Sequence, residues 1–191
     1  MDFIPQDEVA ELLDGYGVRA IADGESRVLL EMSDEHTAAR ACVHVDGADC
    51  GCDPEDCMST AVSEDGLIGS AEHALHRLHQ GQTVVVPVGK WRSVFDAVAF
   101  SLADDEAWQE FDAAATVELN TRDPLLCDAN DTALLTRFLL SLMRDGDQPE
   151  QGVFLIPAGA PVLVHLQPGG PMRFWFGDQV HADELAEAFA N

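Results

Sequence analysis

Along the first forty-five positions the spacing of apolar residues changes from helical to extended. Val9, Leu12, Leu13 and Tyr16 recur at intervals of three and four, which places them on one helix face. Pro5 suits a first turn, Gln6, Asp7 and Glu8 suit its electropositive end, and Gly15 and Gly17 are placed to stop it. The runs GVRAIA and SRVLLEM then read as strands separated by the turn signal DGE, and AARACVHV as a third strand with weaker alternation. From residue 46 to 67 no period is sustained. Gly, Asp and Pro dominate there, which predicts a long acidic loop containing Cys50, Cys52 and Cys57; such loops tend to be functional or disordered.

Helical spacing returns in SAEHALHRLHQG, with Ser70 as the expected cap and Gly81 as the stop. TVVVPV is a β-rich run that Pro87 assigns to a sheet edge or a strand end. SVFDAVAFSLA and DDEAWQEFDAA read as helices, ATVELN and PLLCD as strands around the turn TRDP. DTALLTRFLLSLMRDG is the best-defined helix. Asp131 is placed to cap it, Leu135, Phe138, Leu139 and Leu142 form its stripe, and Gly146 ends it. GVFLIPA, PVLVHLQ and PMRFWFGD are strands broken by AGAP and PGGP, and HADELAEAFA is a closing helix.

Helix, three strands, helix therefore occurs near both ends. Strands joined by short turns pair antiparallel, and helices grouped outside them give an α+β fold, one or more antiparallel sheets flanked by helices. The length of 191 residues suits one domain, with 1–80 and 81–191 as possible lobes; DQPEQG (147–152) is short enough to be a loop. A hydrophobic content of 47% supports a proper core.

Charge narrows the classes of function. Thirty-five acidic residues against ten basic ones give a formal charge of −25, and Lys90 is the only lysine. Nucleic acid is disfavoured as a partner, since it requires a basic stripe, and so is an anionic membrane surface. Self-repulsion on this scale predicts that salt stabilises the fold by screening. The melting temperature is expected to rise from low to molar KCl, and a flat or falling value contradicts this. The N-terminus, MDFIPQDEVAE, lacks the features of a secretory signal, and LLTRFLLSLM is short and holds Arg137, so the cytoplasm is the expected compartment. Reducing conditions and an odd cysteine count argue against a disulfide framework.

Four patterns carry candidate chemistry. Cys50, Cys52 and Cys57, in the spacing CxCx4C, offer three zinc ligands, with His44, or else His73 or His76, as the fourth. Neither half of a paired CxxC signature is present. Asp46, Asp49, Asp53, Glu55 and Asp56 are expected to raise the thiol pKa values by repulsion, and the plain alternative is a solvated loop. His73, His76 and His79 recur along one helix, but EHALH matches no zinc-protease order. In VGKWRS, Lys90 and Arg92 stand at a strand-to-helix junction that suggests an anion pocket, although the P-loop pattern is not met and Trp91 is equally a core anchor. In the last strands Met172, Phe174 and Phe176 alternate with Arg173 and Trp175, and Val162, Val164 and Leu166 with Leu163 and His165. The face bearing Trp175, Arg173, His165 and Leu163 has the composition of a contact surface, unless a helix covers it.

The helix-and-three-strands order of residues 5–45 and 131–190, together with the acidity, resembles the secretion-chaperone-like group of bacterial α+β domains over about two-thirds of the chain. That resemblance implies helices flanking an antiparallel sheet, with a sheet or helix face that binds a partner chain; it carries over no functional residues. With no nucleophile elbow or other catalytic signature in the sequence, the expected function is a non-catalytic protein-binding module. It would engage a protein partner or a second copy through the C-terminal sheet face and need no cofactor. The rival readings are a zinc protein using the cysteine loop and a small-molecule enzyme with an anion pocket near Lys90.

Overall fold

The computed structural model describes residues 1–23, 27–53, 55–78 and 81–189. The expected DGE turn, His79 and the final alanine of the closing helix fall, in whole or part, outside them. The fold is α+β, built on a mixed sheet of eight strands and a separate hairpin. In chain order the strands are β1 (Asp2–Phe3), β2 (Val18–Asp23), β3 (Arg27–Met32), β4 (Ala39–Val45), β5 (Met58–Val62), β6 (Thr83–Pro87), β7 (Leu125–Cys127), β8 (Val153–Pro157), β9 (Val162–Leu166) and β10 (Met172–Phe176). The helices are α1 (Ala10–Gly15), α2 (Glu64–Leu78), α3 (Trp91–Val98), α4 (Glu106–Ala114), α5 (Thr132–Asp145) and α6 (Gln179–Phe189). The large sheet runs β1-β7-β6-β8-β9-β10-β4-β5, and β2 pairs only with β3. Strands from residues 1–80 and 81–191 thus share one sheet.

Period-two alternation explains the layers. Val85, Val153, Leu155, Val162, Val164, Met172, Phe174 and Phe176 point to one face, where they pack against α2, α3, α5 and α6. On that side Trp91, Phe95, Trp108 and Phe138 form a ring cluster, and the Trp91 indole N–H donates to the Asp123 carbonyl at 2.8 Å. Trp91 is therefore a core anchor. Val84, Val86, Phe154, Ile156 and Leu163 point to the opposite face and are covered by the β2–β3 hairpin and the segment around α1. A backbone bond from Val28 to Val88 (2.9 Å) and the Tyr16 hydroxyl on the Ala158 carbonyl (2.9 Å) hold that cover in place. With both faces covered, β6, β8 and β9 are buried throughout. Pro87 is accommodated at the end of β6, well inside the sheet.

Three local expectations give way. The expected long loop 46–67 ends at residue 57, because β5 follows and α2 starts at Glu64. Ser63, not Ser70, caps that helix, its hydroxyl accepting from the Gly66 amide at 3.1 Å. ATVELN is a 3-10 helix: Ala115 and Leu119 are buried while Val117 is 80% exposed, which is helical and not alternating burial. Asp131 makes no bond to the first turn of α5; it accepts from the Asp128 amide and pairs with the N-terminal amine at 2.8 Å.

One connection departs from the antiparallel expectation. β4 and β5 are parallel, with Cys42 opposite Ser59. A parallel pair joined end to start requires a crossover, so residues 46–57 travel back along the sheet before β5 begins. The face of β4 that carries Cys42 is continuous with Arg173 of β10, its opposite residue. The hairpin covers β6, β8 and β9; the crossover meets the sheet at β10, β4 and β5.

Candidate functional site

The crossover brings the cysteines together. Cys42, fully buried in β4, lies with Cys50 and Cys52 so that all three sulfurs fall within 4.8 Å of one another. Cys57 stands outside that group of three: its thiol donates to the Met58 carbonyl at 3.8 Å, and it is near enough to Cys52 for the two thiols to influence each other's ionisation. Local geometry shapes the turn. Gly51 takes φ +63°, a left-handed conformation that favours glycine between two cysteines that must both face inward. The Asp49 carboxylate accepts from the Gly51 amide at 2.8 Å, and that of Asp53 from Glu55 at 3.0 Å, so two of the loop's acids act as turn formers. Arg173 reaches from β10 and donates to the Cys50 carbonyl at 2.9 Å, which fastens the loop to the sheet.

The thiols are electrostatically unequal. Cys50 is lowered to about 7, first by the Cys52 backbone amide, then by the Ser59 hydroxyl 3.8 Å away and by the neighbouring thiols. Burial, reinforced by Cys52, raises Cys57 to about 12, and the same causes raise Cys42. The expected carboxylate repulsion is thus outweighed by burial and sulfur–sulfur contacts, and at Cys50 the shift is opposite in sign to that expected. A tetrahedral zinc with Zn–S bonds near 2.3 Å needs sulfurs about 3.8 Å apart, so a contraction of about 1 Å brings Cys42, Cys50 and Cys52 to that spacing.

His44 is not among the clustered sulfurs. It shares the Cys42 face one pleat further along β4, about 6.6 Å by strand geometry, and its Nε2 meets the Ser59 hydroxyl at 3.0 Å. Ser59 contacts Cys50 as well, so His44 reaches the cluster only through that hydroxyl. His73 and His76 lie on α2 beside Thr132 and Thr136 of α5, in a separate shallow recess. Cys127 is buried on β7, at the other end of the sheet, and all five cysteines are free. Sequence reading missed Cys42 because it looked like one more core residue in a strand.

The other expected sites are rearranged. Leu163 is fully buried and His165 only 5% exposed, because the hairpin covers that part of the face; only Arg173 and Trp175 remain partly open. Lys90 and Arg92 are exposed, but the entry to α3 is closed by backbone. Gly89 donates to the Glu150 carbonyl at 2.9 Å, so tightly that a β-carbon would stand 2.6 Å from that oxygen, and the Trp91 amide approaches the Thr121 carbonyl. Among the described residues, no helix is long and apolar enough to cross a membrane. No family model, curated protein or solved structure matches this chain.

Proposed function

We propose that the chain is a metal-binding protein that holds one thiophilic divalent ion, zinc by preference, on the converging Cys42, Cys50 and Cys52, with Cys57 drawn in as the fourth ligand. The observation that supports this reading is the convergence of Cys42 from β4 with Cys50 and Cys52 from the crossover, from separate segments, within 4.8 Å. Soft thiolates select zinc over the hard cations that the surrounding carboxylates would attract. Four sulfurs fill a tetrahedral ion, leaving no open position for substrate, so the role is structural: a clip that ties a polar crossover to the sheet.

Untagged protein is expected to carry one zinc per chain. Cobalt substitution should give sulfur-to-metal charge-transfer bands that the Cys42→Ser variant lacks. At neutral pH, binding must displace the protons of Cys42 and Cys57, whose pKa values are raised, so the apparent affinity climbs steeply with pH. Absence of stoichiometric metal together with no cobalt spectrum, or an unchanged spectrum in Cys42→Ser, rejects the site.

A further inference from the structure

Two recesses meet at Arg173 and Trp175. One, of about 320 Å³, lies at the crossover. The other, of about 370 Å³, opens between the hairpin and the second face of the sheet; no cysteine lines it, although Arg173, which does, also holds the Cys50 carbonyl. Its size falls within the ~300–1,000 Å³ common for small-molecule sites.

The second recess combines cationic, buried polar and aromatic side chains. Arg27 of β3 and Arg173 of β10 both line it, in a chain whose formal charge is −25. Its carboxylate, Glu31, pairs with the Arg19 guanidinium at 2.6 Å, Arg173 also donates to the Cys50 carbonyl, and Arg27 has a polar partner of its own, so an entering anion would take up the remaining N–H donors of these two guanidinium groups. His165 also lines it, 5% exposed, and its Nε2 is buried with no hydrogen-bond partner among the described residues. A buried polar atom left unmatched lowers stability, so such a group calls for a ligand or another compensating role. Burial, aided by Arg173, keeps this imidazole neutral, which lets it give one hydrogen bond without adding charge. Trp175 and Leu29 supply the apolar wall.

We infer that this recess binds a small monoanionic carboxylate carrying an aromatic or branched apolar group. The carboxylate pairs with Arg27 and Arg173 and accepts from His165 Nε2–H, and the apolar group lies against Trp175 and Leu29. Guanidinium–carboxylate pairs are strong and directional, which favours this anion over a bare apolar guest. A dianion such as a phosphate is disfavoured, because each further negative charge enters the field of a strongly acidic protein.

Calorimetry and NMR with phenylacetate, phenylacetamide and inorganic phosphate test the assignment on the full chain. Phenylacetate is expected to bind saturably and to shift the Trp175 indole resonance, with the amide weaker by about ten-fold or more. Arg27→Gln, a change on a partly exposed strand, should remove the preference for acid over amide. His165→Phe should weaken the acid while the protein stays folded. Equal binding of acid and amide, tighter binding of phosphate, a preference that survives Arg27→Gln, or no saturable binding of phenylacetate each overturns the proposal. The metal reading is untouched by any of these results.

Discussion

Stripping zinc with a strong chelator is expected to lower the melting temperature by about 10 °C and to expose the amides of residues 46–57 to rapid exchange. The magnitude follows from linkage. An ion present at a thousandfold its dissociation constant stabilises the native state by ~4 kcal/mol, and in a chain of 191 residues each kcal/mol moves the midpoint by ~2–4 °C. The effect should be regional. The ring cluster around Trp91 and the faces of β6, β8 and β9 bury their side chains without help from the crossover, so the remainder stays folded. The crossover offers little apolar surface, and its turns rest on Asp49 and Asp53. Cys127→Ser is the control: it buries a hydroxyl and lowers stability, yet its response to chelator should match that of the parent. Cys42→Ser should melt low from the outset and ignore chelator. A chelator response absent from the parent, or still present in Cys42→Ser, removes the proposed clip.

The sequence disclosed what is local and hid what depends on pairing. Met172, Phe174 and Phe176 alternate with Arg173 and Trp175, and this alone separates the two faces of β10. The stripe of α5 and the helical spacing of Val94, Phe95 and Val98 were equally plain, although α3 starts two residues earlier than its spacing suggests, at Trp91. No local period says that β2 and β3 leave the main sheet and lie across it, so the burial of Leu163 and His165 could not be read from their own strand. The metal site shows the same division. Cys50, Cys52 and Cys57 are conspicuous as a cluster in sequence, but the thiol that completes them is placed by the parallel pairing of β4 with β5. Had those strands formed a hairpin, the connection would not have needed to return along the sheet, and His44 would have been as reasonable a ligand as Cys42. The misassigned Ser70 has a smaller cause: two serines precede the same apolar stripe, and the one that caps is set by where β5 ends.

His165 predicts the second large effect, a loss of stability in mild acid that His165→Phe abolishes. Burial, with Arg173 beside it, lowers this histidine from an ordinary 6.5 to about 3. Below pH 6.5 the unfolded chain takes up a proton that the folded chain refuses, so stability is complete above that pH and is lost as pH falls towards 3. The slope is ~1.4 kcal/mol per pH unit, or about 2 kcal/mol between pH 6.5 and 5. Arg173 on β10 opposes protonation, Arg27 on β3 lines the same recess, Glu31 is engaged by Arg19, and Phe154 on β8 stacks on the imidazole at 4.4 Å. Phenylalanine keeps that stacked ring and removes the unmatched Nε2, so the variant should also gain ~1–3 kcal/mol at neutral pH. Denaturant titrations of parent and variant at pH 7 and pH 5 isolate the effect, because proton uptake at carboxylates and at the thiol site is common to both and cancels in the difference. The gap should widen by about 2 kcal/mol at the lower pH. Parallel curves would mean that the folded protein admits the proton. A more stable His165→Phe that binds phenylacetate more weakly would give the reason for a histidine at this position, a buried group kept for its ligand at a cost in stability.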